Sequence, residues 1–395
     1  MNKPPGNVGK KTLILEFDPH TKEITTKFMS TRWGRLPVWK YTLAHALHYG
    51  SGGFEGIRAY DTDKGPAVFG LQEHSERLVK TMKALGIESP ITAEGVSDLI
   101  LETLRRNGFG KAYIRPWIGW AHGPLGVHPK SGQEGNKIVL FITPMIWGRY
   151  VQGTKVLLSS TPRRTAMPTD KVSGNYANSL EVIQEANKHG YAEALTVNQR
   201  GHVAEGSGEN IFWIKGDTLY TPSLNTGILP GITRETIMKI AREKQLRIKQ
   251  GKFGLHHLLN ADEVFYTGTA AEVSPVTHVG IQVQDGRIHV MDLDRQAIRP
   301  SKQTKIVSAL EKRGITLQEG ITEVPIGEGK TGRHTTEIGK KFNDIVTGQN
   351  SDYKHMLTPI YTQKGLGRLR QRFSWKTRLQ RRTTTGVNVK RMLRR

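Results

Sequence analysis

The 395-residue sequence contains no cysteine. That excludes disulfides, thiolate metal sites and thiol nucleophiles, and it agrees with a cytoplasmic location. No apolar run reaches the ~18 residues that a membrane helix needs, so no membrane partner is expected. The first eleven residues carry lysines with no apolar stretch behind them, and they are not rich in Arg and Ser. Neither a secretory signal nor an organellar transit segment is expected. Acidic residues are scarce: 35 Asp and Glu face 58 Lys and Arg, a formal charge of +23. Residues 362–395 hold 12 Lys or Arg and no acid, which leaves +11 for residues 1–361. A moderately basic body suits anionic substrates.

The length allows two ordinary domains with real cores. Residues 1–147 read as a small α/β domain with two amphipathic helices, at 73–84 and 92–106, and buried strands at 112–114 and 138–142. Residues 148–153 read as a linker. Residues 154–361 read as a large domain, with strands at 155–159, 193–197, 210–214 and 263–267 and helices at 178–188 and 233–244. Strands and helices alternate irregularly, which favours a mixed α/β or α+β architecture over a doubly wound parallel sheet. Farther on, a hairpin is expected around 284–287. A helix is expected over 301–312, capped by Ser301 and stopped at Gly314. A turn-rich loop over 323–332 and a helix over 336–346 follow. The tail, 362–395, reads as a solvated extension, with a nucleic-acid contact as the sharper alternative.

Four short segments stand out. Lys171 lies in Pro168-Thr169-Asp170-Lys171-Val172-Ser173-Gly174-Asn175-Tyr176, on a loop just before a helix. A lone lysine is usually a solvated surface residue, so this setting is what singles it out. Val203-Ala204-Glu205-Gly206-Ser207-Gly208-Glu209-Asn210 puts two glycines and a serine between two glutamates ahead of a strand. By itself it could be a surface hairpin. Gly227-Ile228-Leu229-Pro230-Gly231-Ile232-Thr233 turns the chain into a helix whose first N–H groups would meet a phosphate, with Thr233 as the expected cap. Thr267-Gly268-Thr269-Ala270-Ala271-Glu272 places small residues at a strand end.

In this order the four segments resemble the class IV aminotransferases, the pyridoxal-phosphate enzymes of fold type IV (D-amino acid aminotransferase-like), and most closely the branched-chain amino acid aminotransferase family. His45-Ala46-Leu47-His48-Tyr49-Gly50, Phe54-Glu55-Gly56-Ile57-Arg58-Ala59-Tyr60, Tyr113-Ile114-Arg115-Pro116, Gly126-Val127 and Trp147-Gly148 with Tyr150 add to it. The resemblance covers about 30–279 and resumes over about 323–361. It implies that pyridoxal 5′-phosphate is the cofactor and that Lys171 forms the Schiff base and shuttles the proton. Glu205 would bond the pyridinium nitrogen and Tyr176 the phenolic oxygen. Arg58, the Ile232 and Thr233 amides, the Thr233 hydroxyl and Thr269 would hold the phosphate, with Leu229 and Gly268 also lining the cofactor. Tyr113, Thr269 and Ala270 would take the substrate α-carboxylate, and Arg115 the distal carboxylate of glutamate. Trp147 and Tyr150 would wall the apolar side-chain pocket. Val127 would come from a neighbouring subunit, so a homodimer or higher homo-oligomer is implied.

The implied reaction is transamination of L-leucine, L-isoleucine and L-valine with 2-oxoglutarate, giving branched 2-oxo acids and L-glutamate. D-amino acid transaminase and aminodeoxychorismate lyase are the alternatives within the fold. A binding protein with a degenerate core and a functional tail is the alternative outside it. His45 and His48 read as structural, and no metal site is expected. One departure stands out. About 280–322 intervenes where the family goes directly to a turn like Pro325-Ile326-Gly327-Glu328-Gly329-Lys330. It reads as an insertion in a surface loop, with enough helix to pack as a small subdomain.

Overall fold

The structure is a computed structural model that describes residues 11–18, 21, 23–30, 44–89, 91–122, 126–127, 137–146, 148, 155–165, 167, 169–289 and 300–361. Trp147, Tyr150, most of the expected linker and the basic tail lie outside the described residues. In chain order the elements begin with β1 (Lys11–Phe17), β2 (Ile24–Ser30), α1 (His45–Tyr49), β3 (Gly52–Phe54), β4 (Ile57–Tyr60) and β5 (Ala67–Phe69). Then come α2 (Leu71–Ala84), α3 (Ala93–Asn107), β6 (Ala112–His122) and β7 (Lys137–Met145). The middle of the chain forms β8 (Lys155–Leu158), α4 (Tyr176–Lys188), β9 (Glu193–Leu195), β10 (Asn210–Lys215), β11 (Thr218–Pro222), α5 (Ile232–Glu243) and β12 (Arg247–Gly251). Beyond them lie α6 (Leu255–Leu259), β13 (Glu263–Gly268), β14 (Glu272–Val276), β15 (His278–Gln284), β16 (Arg287–Ile288), α7 (Pro300–Glu311), β17 (Gly320–Pro325), α8 (Arg333–Val346) and β18 (Leu357–Pro359). No helix among the described residues is long and apolar enough to cross a membrane.

Two compact units result. One comprises Met1–Gly148, Asp170–Gly174 and Asp344–Arg395; the other comprises Arg149–Thr169 and Asn175–Asn343. The division departs from the expected boundaries in two places: the Lys171 loop and residues 344–361 both belong to the first unit.

The first unit is built on an antiparallel sheet ordered β18-β5-β4-β6-β7-β1-β2, with β3 also paired to β6. Leu13, Leu15, Ile57, Ile114, Ile118, Leu140 and Ile142 on the sheet share a core with α2 and α3, through Leu78, Met82, Leu99 and Leu104. Thr92 caps α3 by accepting the Gly95 N–H at 3.1 Å, and Gly108 ends it in the left-handed region at φ 67°. The strand expected over 112–114 runs on through Pro116 to His122. A proline is tolerated in this interior strand because the neighbouring edge is broken there. Residues 55 and 56 separate β3 from β4, and the Glu55 N–H donates to the Pro116 carbonyl at 2.9 Å.

The second unit carries two mixed sheets. One has the order β12-β11-β10-β13-β14; the other has the order β16-β15-β8-β9, with β17 on β15. Their inner faces meet in one core that includes Val156, Leu195, Ile211, Trp213 and Tyr266. The architecture is thus mixed α/β, as expected. The segment 280–322 is not a detached surface loop. It completes β15, which is parallel to β8, and supplies the first half of β17, which pairs β15 from His278↔Pro325 to Val283↔Gly320. Its Ile281, Val283, Ile288, Ile306 and Leu310 lie in the same core as Val156, so apolar burial ties the segment to the unit. Glu323–Pro325, expected in a loop, is the end of β17. Ser301, expected as a cap, is the second residue of α7 (Pro300–Glu311).

Candidate active site

One group of expected residues lies in the first unit, on the sheet face opposite the helices. Arg58 on β4 is the cross-strand partner of Tyr113 on β6, so the two share a face. Arg115 and Trp117 follow Tyr113 at the alternation of a strand. The Arg115 guanidinium donates to the Tyr113 hydroxyl at 2.9 Å. Gly56 makes room for that hydroxyl: a Cβ there would lie 2.3 Å from it. Phe54, the partner of Trp117, stands on the same face.

The Lys171 loop docks along β3. The Phe54 N–H donates to the Lys171 carbonyl at 3.1 Å, and the Lys171 N–H donates to Thr81 Oγ1 at 3.2 Å. Trp117 Nε1 donates to Ser173 Oγ at 3.1 Å. Two cations then meet one ring: Lys171 Nζ and Arg115 Cζ each lie 4.8 Å from the centre of Phe54. Arg58 is buried, and its Nη2 donates to the Gly148 carbonyl at 2.9 Å. Val127 is 78% exposed, and the neighbouring Gly126 carbonyl lies 2.8 Å from His45 Nε2.

Sequence reading missed a buried cluster beside this loop. Glu55 is fully buried, and Arg77 grips it through two bonds, Nε to Oε1 at 2.6 Å and Nη2 to Oε2 at 2.8 Å. His74 Nδ1 donates to Glu55 Oε2 at 2.8 Å. Burial alone would raise the Glu55 pKa. The Arg77 charge and bonds, with His74, outweigh it and hold the carboxyl far below its ordinary range. His74 itself is pushed down, first by burial and also by the charges of Arg77 and Lys171, against the pull of Glu55. It therefore acts as a neutral donor. His74 and Arg77 lie three apart on α2, a spacing that could have pointed to the cluster.

A second group lies in the second unit, around Glu205. Its carboxylate is buried and held by three donors: Arg163 Nη2 at 2.7 Å, Asn210 Nδ2 at 3.1 Å and the Leu229 N–H at 3.1 Å. Asn210 Nδ2 also donates to the Leu229 carbonyl at 2.9 Å, which ties Glu205 to the Leu229-Pro230-Gly231 turn. Gly231 is required there, because a Cβ would fall 2.0 Å from Asn210 Oδ1. Gly231 is also the N-cap of α5, with no side-chain cap. Thr233, expected as the cap, is instead the second residue of the helix. The Ile232 and Thr233 amides thus open an uncapped helix start. Thr269, Ala270 and Ala271 form the turn between β13 and β14, next to Gly268. Thr267 Oγ1 is buried without a hydrogen-bond partner among the described residues, and its cross-strand partner is Asn210. Tyr176 opens α4 and is half-buried.

These features fit a phosphorylated aromatic cofactor with a cationic ring nitrogen. A buried carboxylate paired with Arg163 suits a ring N–H, and an uncapped helix start suits a phosphate. Residues 52–279 match the family Amino-transferase class IV. The chain belongs to the class IV aminotransferases. It is 38% identical over 280 residues to a branched-chain-amino-acid aminotransferase of Escherichia coli (strain K12), covering 67% of this chain and 90% of that one. It is 36% identical over 303 residues to one from Pseudomonas aeruginosa, covering 73% and 92%. Among solved structures, a T.th. branched-chain amino acid aminotransferase complexed with N-(5′-phosphopyridoxyl)-L-glutamate superposes with a TM-score of 0.68 at 32% identity. That match covers 90% of this chain and 99% of that one. As a class IV aminotransferase, the protein is a transaminase.

Proposed function

We propose that this transaminase moves the amino group of L-leucine, L-isoleucine and L-valine to 2-oxoglutarate, with pyridoxal 5′-phosphate as cofactor. The observation that carries the reading is the shared Phe54 ring, with the Lys171 amine and the Arg115 guanidinium each 4.8 Å from its centre. It puts a reactive amine beside a cation suited to the distal carboxylate of glutamate. The relatives' names support the branched-chain class, and the glutamate adduct in the T.th. enzyme supports the acceptor.

The cofactor, when bound, supplies the electron sink that stabilises negative charge at the substrate α-carbon. Lys171 would hold it through the ε-amine, and that amine would carry the proton to and from the substrate α-carbon. Glu205 bonds the ring nitrogen, and Arg163 pairs with Glu205 from behind. Tyr176 bonds the phenolic oxygen. The Ile232 and Thr233 amides, the Thr233 hydroxyl, Thr269 and Arg58 hold the phosphate, with Leu229 and Gly268 against the cofactor. Tyr113, Thr269 and Ala270 take the α-carboxylate. Val127 reaches the pocket of a second copy in a homodimer. In the first unit, Arg77 is a further cation beside the Lys171 loop.

The test is absorbance and turnover of Lys171→Ala. The variant is expected to lose the visible absorbance of lysine-bound cofactor and to drop in turnover by roughly 10³-fold or more. A full-chain protein that stays colourless with pyridoxal phosphate would sink the reading. So would a substrate panel in which D-alanine or aminodeoxychorismate outperforms L-leucine.

A further inference from the structure

The residue after the Ser207-Gly208 turn, Glu209, plays no part in the reading above, yet it is buried and faces a second buried carboxyl. Glu193 is fully buried on β9, and Glu209 is nearly so. Both carboxyls close on one turn, Glu193 accepting from Ser207 and Glu209 from the Gly208 N–H. Two carboxyls buried together at one turn disfavour a second negative charge. No Lys, Arg or His bonds either carboxyl among the described residues. Arg163 is engaged by Glu205, and the Tyr266 hydroxyl donates to the Ala194 carbonyl at 2.8 Å.

We propose that Glu193 and Glu209 share one proton and that this acid pair positions Glu205. The pair spans the loop that carries the site. Glu193 accepts from the Ala194 N–H at 2.7 Å, and from the Ser207 N–H and hydroxyl, each at 3.0 Å. Glu209 accepts the Gly208 N–H at 3.0 Å, and its own carbonyl accepts the Gly206 N–H at 2.7 Å. A Cβ on Gly206 would lie 2.8 Å from Glu209 Oε2, so the carboxyl packs directly on the turn. Glu205 and Asn210, the two side chains bonded at the ring-nitrogen end, flank this turn. Loss of the shared proton would set two like charges against each other there, with Glu205 as a third carboxylate nearby. The charged and titratable groups around the pair are thus Glu205, with Arg163 behind it, and Tyr266.

Burial raises both carboxyls, and for Glu209 the charge of Glu193 adds to it. The sign follows from linkage. A raised folded pKa gives stability that is fully present below the ordinary carboxylate range and is lost as pH rises through the raised value. Glu209→Gln keeps an amide donor toward Glu193 and removes the titrating proton. The inference rests on the proposed role of Glu205, and the experiment separates the two. Melting temperatures of the full chain, wild type and Glu209→Gln, are measured from about pH 5 to about pH 9 with and without pyridoxal phosphate. The expected result is a difference, variant minus wild type, that climbs with pH by on the order of 3 °C per unit in both series. The variant should also keep visible cofactor absorbance to higher pH. A difference that stays flat with pH overturns the shared proton. A climbing difference with no change in cofactor retention overturns the positioning of Glu205 and leaves the shared proton standing. Failure of both proteins to take up the cofactor overturns the reading of Glu205 instead. If Glu209→Gln does not fold, Glu193→Gln makes the same comparison from the other side, with the same two deciding outcomes.

Discussion

Each unit buries a carboxylate cluster, and the two are opposite in their charge preference. Glu55 in the first unit meets a bidentate arginine and a neutral histidine, and its pKa is held far down. Glu193 and Glu209 in the second unit meet each other, and both are pushed up. Burial is similar in the two places, so burial does not decide the sign. The nearest partner does. A cation within hydrogen-bond reach offsets the desolvation of a carboxylate, whereas a second carboxylate adds to it.

The sharpest way to break the contrast is to remove the cation from the first cluster. Arg77→Ala leaves Glu55 buried with His74 alone, and a loss of about 3–5 kcal/mol is expected in denaturant unfolding. Pairing Arg77→Met with Glu55→Gln removes the stranded charge and should recover a large part of that loss. In the second unit, Arg163→Ala strands Glu205 in the same way. A loss of about 3 kcal/mol is expected, together with weaker retention of pyridoxal phosphate in dialysis. Acid titration comes next. A depressed folded pKa gives Glu55 a contribution that is present above the ordinary carboxylate range and lost as pH falls below it. The slope is about 1.4 kcal/mol per pH unit, and it should disappear in Glu55→Gln with Arg77→Met. The smallest effect is expected for Asn210→Ala. It removes the bonds from Nδ2 to Glu205 and to the Leu229 carbonyl and should cost about 1–2 kcal/mol.

Much of the helical framework was legible because apolar spacing survives in short windows. The helices read at 92–106 and 178–188 are Ala93–Asn107 and Tyr176–Lys188 in the structure. Strands with little apolar content were not. β17 shows mostly exposed or half-exposed residues, and its second half, Glu323–Pro325, reads as a loop in the sequence. It is a strand because β15 offers it a hydrogen-bonding edge, which is a tertiary fact. Pro116 hid the length of β6 for a similar reason: the broken neighbouring edge that tolerates it is distant in sequence.

In the candidate site, Glu205 and the Pro230-Gly231 turn were legible as motifs. The link between them, Asn210, stands inside one of those motifs but shows its role only through the 2.9 Å bond across nineteen residues. Glu55 stands inside a family segment. The two partners that set its charge lie on α2, whose sequence pattern shows only the apolar face. Buried polar clusters of this kind have no periodicity to betray them.

The central claim is amino transfer from branched-chain L-amino acids. It is tested most directly by incubating the full chain and pyridoxal phosphate with L-leucine and 2-oxoglutarate and measuring both products over time. Equal amounts of L-glutamate and the branched 2-oxo acid, abolished in Lys171→Ala, are the predicted result. Absence of L-glutamate from L-leucine, L-isoleucine and L-valine alike, in protein that has bound the cofactor, would contradict it.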